Sequence, residues 1–97
     1  MPAVLLAHYE VSDRERFIKV FDAFEDERGR AGAVAKALLA SGDDPGTLVA
    51  VIEFPTREAA QAFAGSPVRA EALQRATVVD RADEILDVER PRTAVAR

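Results

Sequence analysis

A chain of 97 residues, 48% hydrophobic and 31% charged, has material for one small globular domain and none for a second. Thirteen Lys and Arg against seventeen Asp and Glu leave a net charge of −4, so there is no basic excess to bind nucleic acid or an anionic membrane surface. With no cysteine there are no disulfides, thiolate nucleophiles or cysteine-ligated metals, and His8 is the single imidazole. No apolar run approaches the roughly 18 residues of a membrane span, and Met1-Pro2 offers no basic stretch for a signal peptide, so the expected location is the cytoplasm.

Ala3 to Tyr9 is a short apolar run ended by Glu10 and Ser12-Asp13, which suits a buried first strand. Ser12 and Glu15 have the spacing of a capping box and open a helix whose Phe17, Phe21, Phe24 and Arg28 recur at helical intervals. Glu25 with Arg28 and Asp26 with Arg30 read as solvated ion pairs, and Gly29 and Gly32 bracket the helix end. Ala33 to Ala40 is expected as a second strand, joined through the turn-rich Ser41 to Gly46 to a third over Thr47 to Phe54. Thr56 caps a second helix that stops at Gly65 and restarts at Ser66-Pro67, with Ala72, Leu73 and Ala76 continuing its apolar stripe. Asp80 to Asp83 reads as a polar link before a fourth strand at Glu84 to Glu89. Residues 1–90 form the expected domain, and 91–97 a mobile basic tail.

Strand, helix, strand, strand, helix, strand is the split pattern of an α+β ferredoxin-like βαββαβ sandwich: a four-stranded antiparallel sheet with both helices on one face. A sheet with one face in water alternates apolar and polar residues, and this one does not. Val4 and Leu6 oppose Leu5 and Ala7 in the first strand; Leu48, Ala50, Ile52 and Phe54 oppose Val49, Val51 and Glu53 in the third. Two helices cover one apolar face, so the other calls for a second copy of the chain, and a homodimer through the sheets is expected.

Several segments resemble the dimeric α/β-barrel superfamily, nearest its uncharacterised bacterial members related to antibiotic-biosynthesis monooxygenases. These are Phe21-Asp22 with Arg28 and Gly32, Leu48 to Phe54, Glu58 to Ala64, and Ser66-Pro67. The likeness spans roughly residues 3–90. It implies two sheets packed face to face with a cavity beside each, and activities such as cofactor-free oxygenation, isomerisation or cyclisation. The monooxygenase members use Trp, Asn and Tyr in the cavity, whereas this chain has neither Trp nor Asn. The haem-degrading members place a ligand His on a helix, whereas His8 falls on a strand.

Few residues offer chemistry. His8 and Tyr9 have acid–base capacity, but as neighbours on a strand they face opposite ways. Lys36 and Glu53 are the lone charges of adjacent apolar strands, so each must reach solvent, pair, or line a polar pocket. Glu53 shares its face with Val49 and Val51, on the dimer side. His8, Tyr9 and Glu53 are therefore the candidate proton-transfer groups, and Lys36, Val49, Val51 and Glu53 the candidate ligand-binding set. No metal-ligand spacing, phosphate loop or nucleophile elbow is present, and no cofactor is expected. Two readings follow: a dimer binding a small hydrophobic ligand on the sheet face, or a cofactor-free monooxygenase, isomerase or cyclase acting on an aromatic, polyketide-like or lactone substrate.

Overall fold

A computed structural model describes residues 1–96. The elements are β1 (Ala3–Val11), α1 (Arg14–Ala23), α2 (Glu25–Arg30), β2 (Ala35–Ala40), β3 (Thr47–Phe54), α3 (Arg57–Ala64), α4 (Pro67–Arg75) and β4 (Val78–Asp87). Four strands form one sheet in the order β2-β3-β1-β4, with every neighbouring pair antiparallel. This is the expected ferredoxin-like α+β fold, with each helical layer broken into two short helices.

Strand alternation divides the apolar residues between two faces. Leu5, Ala7 and Tyr9 of β1 and Leu48, Ala50, Ile52 and Phe54 of β3 are buried in one core with Phe17, Phe24 and Phe63 from the helices. The opposite face carries Leu6 paired with Val51, His8 paired with Val49 and Val4 paired with Glu53. Leu39 of β2, opposite Val49, and Leu86 of β4, opposite Val4, extend it and are 52% and 45% exposed.

The structure corrects the sequence reading in four places. The N-cap of α1 is Asp13, whose carboxylate accepts from the Arg16 amide at 3.0 Å; Ser12 is instead tied to Thr77, through its amide to the Thr77 carbonyl. The first helix breaks at Phe24, so Gly29 lies inside α2, while Gly32 takes the left-handed turn at φ +97°. Strand β2 starts at Ala35, because the Ala33 amide still donates to the Arg28 carbonyl. Strand β4 runs from Val78 to Asp87, so Asp80 to Asp83 is strand and not link. Its helix-facing carboxylates are each met by an arginine, Asp83 by Arg69 and Asp87 by Arg57, so the charges do not prevent pairing with β1. Arg97, the end of the expected basic tail, lies outside the described residues.

Phe54 is fully buried, its ring centroid 5.4 Å from that of Phe63. Phe54→Ala is expected to cost about 3–5 kcal/mol, read as a fall in the urea midpoint at constant slope.

Candidate functional site

The break between α1 and α2 shapes the site. The Phe21 carbonyl accepts from the Phe24 amide at 3.3 Å and from Arg28 Nη2 at 2.6 Å, which closes α1 and lets α2 start in a new direction. That turn points Phe24 and Arg28 inward. The Arg28 guanidinium lies 4.1 Å from the centroid of the Phe21 ring and is 3% exposed. Phe17 packs between Phe21 and Tyr9, with centroids 6.0 and 5.3 Å away, and Phe63 of α3 meets Phe24 at 6.1 Å.

From the other helical layer comes Arg69, placed at the start of α4 by Ser66, whose hydroxyl accepts from the Arg69 amide. Its side chain is 2% exposed and engaged through both terminal nitrogens. Both terminal nitrogens donate to Asp83, each at 2.8 Å; Nη1 also donates to the Ala64 carbonyl at 2.9 Å, and Nη2 to the Tyr9 hydroxyl at 2.8 Å. Burial alone raises the Asp83 carboxyl; the Arg69 hydrogen bonds and charge, helped by Arg81, outweigh it and hold Asp83 below the usual aspartate value. Burial pushes the Tyr9 phenol up against the pull of Arg69, so at neutral pH it is an O–H group.

Between sheet and helices these groups enclose a cavity of about 30 Å3, walled by Phe17, Phe21, Phe24 and Phe63 with Tyr9, Arg28 and Arg69. Arg28 Nε is buried and has no hydrogen-bond partner. Glu25 Oε1 lies 3.8 Å from it, beyond hydrogen-bond reach, while Glu25 Oε2 accepts from Lys36. The Lys36 hydrogen bond holds the Glu25 carboxyl below its ordinary value, and burial lowers that of Arg28. Tyr9 accepts from Arg69 and so keeps its own proton to donate. With Arg28 incompletely bonded, the Tyr9 phenol free to donate and no carboxylate or His in its wall, the cavity offers donors to an acceptor oxygen, most strongly an anionic one.

The residues singled out by sequence do not form one site. Tyr9 lines the cavity; His8, Val49, Val51 and Glu53 lie on the opposite face of the sheet. There His8 pairs with Val49 and Glu53 with Val4, four residues along β1 and so about 13 Å apart. Lys36 pairs with Ile52 on the helix-facing side and bonds Glu25, so it does not share a face with Glu53. Arg30 pairs with Glu27 at 2.5 Å in place of Asp26. Sequence reasoning left Arg28 as a solvated ion pair and passed over Arg69. The signal for Arg69 was its spacing from Ala72 and Ala76, which continues the buried stripe of α4, where Val68 is half exposed. Among the described residues no group of three or more His, Cys, Asp or Glu is placed to hold a metal ion, and no helix is long and apolar enough to cross a membrane.

No protein-family model matches the chain, and no curated protein does. Solved structures do. SnoaB of Streptomyces nogalater, a cofactor-independent oxygenase, superposes with a TM-score of 0.76 at 14% identity over 99% of this chain and 98% of its own. A Nitrosomonas europaea protein provisionally assigned as an antibiotic biosynthesis monooxygenase gives 0.76 at 20% identity over 93% of this chain and 92% of its own. Rv0793 of Mycobacterium tuberculosis gives 0.69 at 20% identity over 99% of this chain and 100% of its own. The fold is that of the antibiotic biosynthesis monooxygenases. On the monooxygenase fold, this chain lines its helix–sheet cavity with two arginines and a tyrosine in the absence of any Trp or Asn.

Asp83→Asn leaves the buried Arg69 charge without its counter-ion and is expected to cost about 3 kcal/mol in urea denaturation. The pH dependence has a defined sign. Because the folded Asp83 carboxyl is lowered, its contribution is complete above the unfolded aspartate value of about 3.9 and fades as pH falls through the folded value. The wild type is therefore expected to lose stability more steeply below pH 4 than Asp83→Asn does.

Proposed function

We propose that the protein is a homodimeric, cofactor-free oxygenase of a small aromatic compound bearing an acidic phenol or enol, bound in the helix–sheet cavity. The observation that carries the proposal is the convergence of Arg28, Arg69 and the Tyr9 hydroxyl on one aromatic-walled space. Aromatic walls select a planar ring, and the donors select its oxygen. No free base lines the cavity, so the ligand is one that ionises readily and arrives as the anion, or yields its proton to water on entry. An electron-rich phenolate held beside the Arg28 guanidinium and the Tyr9 hydroxyl is also the species that reacts with dioxygen without a cofactor. In net terms a phenol and one O2 become a quinone and one water, with the ring C–H replaced by C=O and the phenol O–H lost. SnoaB, a cofactor-independent oxygenase of the same fold, supports this reading.

The dimer rests on the uncovered sheet face. Leu6, Leu39, Val49, Val51 and Leu86 form an apolar surface rimmed by Glu10, Glu53 and Glu84, and a second copy related by a two-fold axis covers it. His8 and Glu53 then belong to the dimer interface and not to the reaction.

Val51→Glu, at the centre of that face, is expected to turn a sedimenting dimer into a monomer; an unchanged sedimentation coefficient would remove the sheet-to-sheet dimer. With a panel of single-ring phenols, oxygen uptake in an electrode cell is expected for the wild type. Tyr9→Phe is expected to retain the fold and lose about a hundredfold or more of the rate, as for removal of one oxyanion donor. Absence of uptake across the panel counts against the oxygenase reading.

A further inference from the structure

The inner cavity is too small for the ligand proposed for it. At about 30 Å3 it has room for roughly two waters, whereas an engineered cavity that accepts benzene measures about 150 Å3. A wall must therefore move, and Arg28 is the wall with incomplete hydrogen bonding. Arg28 also lines a second space, an open cleft of about 140 Å3 between α2 and the start of β2, whose other walls include Glu25, Gly29, Val34 and Lys36. Arg28 thus lines both the outer cleft and the inner cavity.

We propose that this α2–β2 cleft is the mouth of the cavity and binds a carboxylate of the ligand between Arg28 and Lys36, so that the substrate is an aromatic acid with its ring directed inward. The proposal rests on the cavity being the ligand site, but it does not require turnover. Glu25 shows the geometry that the site accepts. One of its oxygens takes a hydrogen bond from Lys36 while the other stops 3.8 Å from Arg28 Nε, so a single carboxylate already spans the two cations without satisfying both. Glu25 projects from the surface of the short helix α2 and is 58% exposed, so it can swing into water at little cost. A ligand carboxylate seated a fraction of an ångström deeper satisfies the orphaned Nε, which is otherwise a buried donor left without a partner. Val34, 64% exposed at the rim, gives the ring an apolar edge to pass. In this arrangement Glu25 is a competitor for the ligand site, and Arg28 contacts the ligand directly.

That role separates the proposal from a purely structural ion pair, because it gives Glu25 and Arg28 opposite signs. Isothermal titration of the wild type is expected to show 4-hydroxybenzoate binding about tenfold more tightly than its neutral isostere 4-hydroxybenzamide. Arg28→Gln is expected to abolish that difference. Glu25→Gln is expected to tighten 4-hydroxybenzoate by about threefold, as for loss of an exposed competing charge, and to leave the amide unchanged. Circular dichroism and the urea midpoint check that Arg28→Gln is folded; if it is not, Lys36→Met stands in for it and is expected to reduce the preference for the acid. Equal affinity for acid and amide in the wild type, no binding of either, or weaker acid binding in Glu25→Gln overturns the proposal. A preserved acid preference without oxygen uptake leaves the mouth standing and removes the oxygenase reading; oxygen uptake with neutral phenols and no acid preference does the reverse.

Discussion

A guanidinium buried in a small core must find hydrogen-bond acceptors, and the helix–sheet layer of this protein is arranged around two of them. Arg69 meets the requirement through both terminal nitrogens, with a carboxylate, a backbone carbonyl and a phenol oxygen each in reach. Its demand links α4, β4, the end of α3 and β1 into one unit. An edge strand with aspartates facing inward would otherwise be a poor partner for the core, and Arg69 and Arg57 convert those aspartates into attachment points.

Arg28 meets the same requirement only in part. The Phe21 carbonyl freed by the helix break takes one nitrogen, the Phe21 ring takes the flat face, and Nε is left without an acceptor. The incompletely paired arginine lines both the inner cavity and an outer cleft. A fully paired arginine serves as a fixed strut, whereas one short of an acceptor favours any oxygen that reaches it. The two arginines therefore differ in kind: Arg69 ties elements of the fold together, and Arg28 keeps a donor unsatisfied.

The sheet separates a second pair of tasks. Its inward residues build the core and the cavity, and its outward residues build an apolar surface with an acidic rim. Alternation along a strand keeps these apart, so Tyr9 and His8, adjacent in sequence, belong to different surfaces. Sequence neighbours on a strand share a backbone and seldom a site.

Local signals in the sequence determined the fold. Apolar runs of strand length, caps at Thr56 and Ser66, the proline after Ser66 and the turn-rich Ser41 to Gly46 are properties of a few consecutive residues, and they gave the order of elements and the two-faced sheet. The misplaced boundaries, Ser12 for Asp13 and the late start of β4, arose where a distant partner decides: Thr77 claims Ser12, and Arg69 and Arg57 neutralise the aspartates that made β4 read as a link. The cavity was decided by tertiary structure alone. Arg28, Arg69, Asp83 and Tyr9 are spread over a stretch of chain that holds four helices and two further strands, and come together because the sheet order places β1 beside β4 and the helix break turns Arg28 inward. A charged residue's burial depends on acceptors brought to it from far along the chain, and that information is carried by packing and not by the spacing of neighbouring residues.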